Sequence, residues 1–244
     1  MEEIHALYIN LDEHTQRKTK IENHLINMKI VPHRIKAIES GNVINQYRYK
    51  TSSGYRVTTN RENNIVASHT CAILYAYEKK YEYVIILEDD NFFRLPNIDI
   101  HKIIKHAPND WNIIKLHNSN VHIAHNDMKE LRNNGLHYKK VKDGINEYSA
   151  GAYIINRRGI EEFIRRYKKK NEFIFYHRIA AVSESILFSL PNVYTFRIPI
   201  IYTMDGVDGY SRSNIAIATN RITTMFISNN RLLYRSLLSR YLKT

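Results

Sequence analysis

The stretch "YEYVIILEDDNFF", residues 81–93, decides how the rest of the chain is read. A strongly apolar strand, Tyr83 to Leu87, runs straight into three acids, Glu88, Asp89 and Asp90, in a chain whose formal charge is +12. A solvated turn needs only one acid and usually prefers Asn or Gly. Three acids at a strand end therefore call for a chemical reason.

Elements on either side supply the context. "IHALYIN" reads as a short buried strand, and the polar segment after it carries Ile21, Leu25 and Met28 at helical spacing. "HRIKAI", after Pro32, is a second strand, and the polar residues 41–60, broken by Gly and Ser, read as a long surface loop. Asn60 is positioned to cap a helix reaching about Lys80, with Ile65, Ala72, Ile73 and Ala76 facing inward and "YVIIL" following. "WNIIKL" and "EYSAGAYIIN" are further strands, the latter succeeded by the helix "RRGIEEFIRRYKKK". Strands alternating with helices predict a Rossmann-like three-layer α/β domain with a mainly parallel central sheet. Such sheets bind ligands outside the carboxyl ends of their strands. The acids at 88–90 occupy one such end.

Composition narrows the classes. With 244 residues the chain can bury a full core, and it fits one sizeable domain. No N-terminal stretch has the form of a secretory signal or transit peptide, and no apolar run approaches the roughly 20 residues of a membrane span. A cytoplasmic location is expected, with membrane association through the C-terminal end as an addition to it. The single cysteine, Cys71, excludes an internal disulfide and a thiolate-rich zinc site, and reads as a small buried helix residue. The charge is unevenly spread: residues 1–90 balance at 12 basic and 12 acidic side chains, whereas residues 157–244 hold 15 and 6. A positive field of that kind attracts phosphates, anionic lipid or nucleic acid without choosing among them.

Two carboxylates about 4 Å apart repel by ~4 kcal/mol at a surface-like dielectric, so the cluster persists most easily beside a cation. Hard oxygen ligands suit Mg²⁺ or Mn²⁺, which keep several waters and also bind substrate phosphates. Acid, any residue, then Asp at a strand end is thus a candidate diphosphate–metal clamp.

"LYINLDEHTQRK" (7–18), "NNIVASHTCAILYAYEKKYEYVIILEDD" (63–90), "WNIIKLHN" (111–118) and "GAYIINRRGIEEFI" (151–164) together resemble glycosyltransferase family 25 in order and spacing. The resemblance covers most of residues 5–215. It implies a GT-A-type glycosyltransferase domain over 1–215; residues 216–244 read, from their own pattern, as a basic, amphipathic helical extension. It further implies a nucleotide-sugar donor, usually a UDP-sugar, a divalent metal (Mn²⁺ or Mg²⁺) and inversion at the anomeric carbon. Carried over by position, Asn10, Leu11 and Arg17 lie beside the nucleotide, Ser68 and His69 match a Ser-His pair, and Glu88, Asp89 and Asp90 match the acidic motif. "IIYTMDGVDGYSRSN" gives Asp205, Asp208 and Ser211 a place in the site. Glu184 falls where relatives carry an Asp, and "AVSES" departs from the family pattern there.

The mechanism implied has the metal held by Glu88, Asp90 and Asp208, offsetting charge on the departing UDP. Glu184 or Asp208 would take the acceptor hydroxyl proton. Galactose and glucose are the favoured sugars, and the acceptor is a glycan, a lipid-linked species or a protein hydroxyl. Plainer readings stand beside each role. Asp205 and Asp208 adjoin glycines as turn formers would, Glu184 suits a helix N-terminus, and His69 suits a core histidine. The histidines of "HNSNVHIAHND" read as a variable loop. In the tail "NNRLLYRSLLSRYLKT", Leu232, Leu233, Leu237, Leu238 and Leu242 line one face against Arg231, Arg235, Arg240 and Lys243. That face would pack on the domain, on a second copy of the chain as a homodimer, or on an anionic membrane. A binding protein that keeps the fold without transfer activity is the alternative function; nucleic-acid binding lacks a recognisable motif.

Overall fold

The computed structural model describes residues 3–39, 47–52, 57–142, 149–204, 221, 223–225, 227–229 and 231–243. Asp205, Asp208 and Ser211 lie outside the described residues. The chain opens with β1 (His5–Asn10), α1 (Thr15–Asn27), β2 (Val31–Lys36), β3 (Tyr47–Thr51), α2 (Asn60–Glu78), β4 (Tyr83–Glu88) and β5 (Asn91–Phe93). It continues through α3 (Ile100–Lys105), β6 (Ile113–Lys115), α4 (Val121–Asn134), β7 (Tyr138–Lys140), β8 (Ala152–Asn156) and α5 (Arg157–Tyr167). β9 (Lys168–Lys169), β10 (Glu172–His177), α6 (Ser183–Phe188), β11 (Val193–Phe196), β12 (Ile201–Thr203) and α7 (Arg231–Ser239) follow.

The central sheet has seven strands in the order β2-β1-β4-β8-β6-β11-β7. β2, β1, β4, β6 and β11 run one way, while β8 and β7 oppose them. The sheet is therefore mainly parallel, as expected for a GT-A-type domain, with one antiparallel strand inserted near its centre. Both faces are covered, so its inner strands are apolar throughout rather than alternating. Along β4, Ile85 and Leu87 join one core with α1, α3 and α7, while Val84 and Ile86 join the other with α2, α5 and α6. Tyr8 and Leu7 divide between the same two cores on β1. Three layers result from this period-two division.

Local sequence sets the helix starts. Thr59, not Asn60, caps α2: its hydroxyl accepts from the Glu62 amide at 3.2 Å, and the Glu62 carboxylate accepts from the Thr59 amide at 2.8 Å. Asn156 closes β8 and caps α5, accepting from the Gly159 amide at 2.9 Å.

Three local expectations change. Residues 47–51 are strand, not loop: Tyr47 and Tyr49 turn toward Phe173 and Phe175, and the strand pairs parallel with β10 in a second, three-stranded sheet. Alternation of aromatic and basic residues in "YRYKT" carries that signal. "VHIAHND" opens a helix, because Asn120 accepts from the amides of His122 and Ile123. The helix expected through Lys170 stops at Tyr167, and Lys168 and Lys169 pair with β10.

The C-terminal tail packs on the domain, through more than its leucines. Tyr234, Leu238 and Tyr241 are buried, whereas Leu232 is 82% exposed. The Tyr241 hydroxyl meets His137 Nδ1 at 2.6 Å, Tyr234 donates to the Pro199 carbonyl at 3.1 Å, and Ile98 bridges Leu242. Among the described residues no helix is long and apolar enough to cross a membrane. Truncating Tyr241 to Ala should remove a fully buried ring and lower unfolding free energy by about 3–5 kcal/mol in urea denaturation.

Candidate active site

β1 and β4 lie side by side and end together, Ile9 opposite Glu88, with the Asp89 amide donating to the Ile9 carbonyl at 3.1 Å. Period two sends Glu88 toward the α2 side and Asp89 toward the α1 side. A cavity of about 220 Å³ opens over these ends, lined by Leu11, Arg17, Ser68, His69 and the three acids among others. Its position at strand carboxyl ends is the ligand crevice of such sheets.

Asp89 is buried and held from several directions. Asn10 Nδ2 donates to it at 2.7 Å, Arg17 at 3.3 Å, and His14 Nδ1 stands 3.7 Å away. Burial pushes the Asp89 carboxyl up from its ordinary range, and the hydrogen bond from Asn10 and the Arg17 charge pull against that. Asn10 is committed on every side: its Nδ2 also reaches the His14 carbonyl at 3.1 Å, and its Oδ1 accepts from Arg34 at 2.9 Å. Asp89 lines the cavity, and Asn10, which is not among the lining residues, supports it from behind by joining β1, β4 and the start of α1.

Glu88 and Asp90 are the partly exposed pair of acids. The Glu88 side chain is 39% exposed, with His69 Nε2 at 3.6 Å from its carboxylate. His69 is buried, and its Nδ1 meets the Tyr153 hydroxyl at 3.1 Å. Tyr153 and His69 therefore line up behind Glu88, so His69 is both a core residue and a neighbour of the acid. Ser68 accepts from the Ile38 amide at 2.9 Å and donates to the Asn64 carbonyl at 2.7 Å, tying α2 to the segment after β2.

Asp90 accepts from Asn91 Nδ2 at 2.7 Å, and its carbonyl accepts from the Met204 amide at 2.7 Å. A Cβ on Gly151 would stand 2.6 Å from Asn91 Nδ2, so only glycine allows the β8 entry to approach this acid. From Asn91 a polar chain continues: Thr203 Oγ1 at 3.4 Å from Asn91 Oδ1, His117 Nε2 at 3.1 Å from Thr203, and Ser149 Oγ at 2.7 Å from His117 Nδ1. Glu184 ends the chain, accepting from the Ser149 amide at 3.2 Å and from Ser183 at 3.0 Å. Glu184 sits in the first turn of α6, outside the cavity lining, yet joined to Asp90 through these residues.

Among the described residues no three His, Cys, Asp or Glu side chains converge as a metal cluster. Glu88 and Asp90 offer two hard oxygen donors on one cavity, a set that suits Mg²⁺ or Mn²⁺ with water and substrate oxygens completing the shell. Sequence reasoning missed His14, Arg61 and Asn64, which also line the cavity. Arg61 and Asn64 lie in the opening turns of α2, where nothing in a single sequence separates a cavity cation from a solvated one. His117, read as part of a variable loop, sits at the end of β6, whose strand was legible.

No curated protein matches the chain. Solved structures offer distant likenesses: protein A197 from STIV shares 11% identity with 83% of this chain and 86% of that one covered, at a TM-score of 0.44. A glycosyltransferase involved in the glycosylation of the major capsid of PBCV-1 shares 10%, covering 91% and 100%, at 0.40. An active-site mutant of LgtC shares 13%, covering 90% and 83%, at 0.40. The family model for glycosyltransferase family 25 (LPS biosynthesis protein) matches residues 3–181, a span containing every described residue that lines the cavity. With β1, β4, β6 and β8 and the acidic strand end all inside that match, the chain belongs to glycosyltransferase family 25.

Proposed function

We propose that this chain transfers a hexose, galactose or glucose, from a UDP-sugar to a hydroxyl on a glycan, lipid-linked or protein acceptor, with inversion and a divalent metal. The observation that carries the reading is the cavity at the ends of β1 and β4, where Glu88, Asp90, Ser68, His69, Arg17 and Arg61 face one space. The two guanidinium groups suit diphosphate oxygens. Arg17 is held by Asp89, which fixes its direction before a ligand arrives.

Glu88 and Asp90, with Asp208 as a third donor, would hold Mn²⁺ or Mg²⁺. When bound, that ion supplies positive charge beside the departing UDP. His69, braced by Tyr153, places its Nε2 at 3.6 Å from Glu88, and the hydrogen bond from Asn91 orients Asp90. The acceptor oxygen bonds to the anomeric carbon as the bond from that carbon to the diphosphate breaks, its electron pair leaving with UDP. The hydroxyl proton passes to a carboxylate, Glu184 or Asp208. One in-line displacement inverts the centre. Glu184 accepts two hydrogen bonds that hold its orientation, and its connection to Asp90 ties metal ligand and base to one framework. Ser211 would contact the donor from the same segment as Asp208.

Calorimetry with UDP, with and without Mn²⁺, tests the site directly. Metal-dependent binding is expected, and Asp90→Ala should abolish the metal-dependent part; full metal-dependent transfer by that variant overturns the assignment. No UDP binding in either condition would favour a fold retained for binding or assembly alone. Glu184→Gln should lower kcat by roughly 10²-fold or more while leaving UDP affinity intact. Unchanged kcat in that variant would move the base to Asp208. Gly151→Ala should push Asn91 away from Asp90 and weaken the metal response, read in the same titration, without removing any proposed ligand.

A further inference from the structure

A second cavity, of about 40 Å³, lies beyond the ends of β6 and β11, against α4. It is separate from the cavity over β1 and β4, and none of its lining residues belongs to that one. Four of the residues that line it each carry a buried side-chain atom without a hydrogen-bond partner among the described residues: Arg94 Nε, Arg197 Nε, Asn118 Nδ2 and Thr195 Oγ1. Three of these can only donate, and the fourth is a hydroxyl that can. Buried donors left unpaired cost about 1–3 kcal/mol each, so four on the lining residues of one cavity point to an occupant.

The chemistry of that occupant follows from charge. Arg197 is 9% exposed at its side chain and stands 3.6 Å from Asp127 Oδ1, a carboxylate that Lys139 also approaches at 3.6 Å. Arg94 has no carboxylate partner among the described residues; its guanidinium lies 5.7 Å from the Tyr202 ring, and burial lowers its pKa from the ordinary value. Among the described residues that line the cavity, positive charge therefore exceeds negative, Arg94 and Arg197 against Asp127. A water molecule accepts about two hydrogen bonds and carries no charge, whereas an oxyanion accepts from all four groups and balances the excess.

We propose that this cavity is a binding site for a single oxyanion group, phosphate or carboxylate, held by Arg94, Arg197, Asn118 and Thr195. The group arrives either as a free ion or as a substituent on the acceptor sugar. The cavity lies at the same end of the parallel strands as the first one, and His117 lines it while also belonging to the polar chain that leads to Asp90. Only the acceptor source rests on the transferase reading.

Thermal unfolding of the full chain in inorganic phosphate, against sodium chloride at matched ionic strength, tests the site. Phosphate should raise Tm saturably in the native protein. In Arg94→Gln the apparent affinity should fall about tenfold or more. Thr195→Val keeps the side-chain shape and removes a hydroxyl that has no partner among the described residues, so it should fold with undiminished stability while its phosphate response weakens. A merely structural role for these residues would not produce that split. Absence of a saturable phosphate effect overturns the proposal, as does an effect that survives in both variants, which would place the ion at another site. A hexose phosphate or hexuronic acid binding more tightly than phosphate, with the neutral hexose silent, identifies the acceptor substituent; binding of inorganic phosphate alone identifies the free ion.

Discussion

The site depends on one buried charge. Asp89 leaves water at the junction of β1, β4 and α1, and a carboxylate in that position survives only when paired and hydrogen-bonded. Asn10, Arg17 and His14 provide the partners, each from a different point along the β1 to α1 connection. Satisfying that charge fixes the turn after β4. With the turn fixed, the neighbouring acids have one direction left to face, and the cavity acquires its acidic edge.

Support for the exposed acids is built the same way from both sides of the sheet. On the α2 side, Tyr153 from β8 and His69 from α2 stand in line behind Glu88. Across the sheet end, Asn91, Thr203, His117 and Ser149 connect Asp90 with Glu184. Such networks polarise and hold their members, and here the members come from strands, loops and the helices α2 and α6. Reversal of β8 matters to this arrangement. Because β8 runs against β4, its beginning rather than its end meets the acids, and Gly151 is the residue that lets the chain enter there without striking Asn91.

Basic charge, concentrated by sequence in the last third of the chain, takes more than one role in the fold. Arg157 and Arg165 pair with Glu161 and Glu162 on α5, as a solvated helix face does. Arg197 is instead drawn inside, against Asp127 of α4. Spacing along the chain does not distinguish these cases, because exposure is decided by what the helix or strand packs against.

Much was legible before the fold. A run such as "YVIIL" is apolar throughout because both faces are covered, and its acids mark a carboxyl end whatever the neighbouring strands do. Leu11, Arg17, Ser68, His69 and the acids of 88–90 do come together on one cavity. Short polar elements were less legible: the alternation in "YRYKT" suits a strand, but its place in a sheet comes from Tyr47 and Tyr49 meeting Phe173 and Phe175 from the far half of the chain. The sequence by itself determined the layered α/β class, the acidic strand end and the family, since these rest on local periodicity and residue order. Tertiary structure alone decided that, of the three acids on the cavity, Asp89 is the buried strut and Glu88 and Asp90 the more exposed pair, and that Arg94 and Arg197 both line a second cavity. Those outcomes depend on long-range pairing and desolvation, which adjacent residues along a chain do not encode.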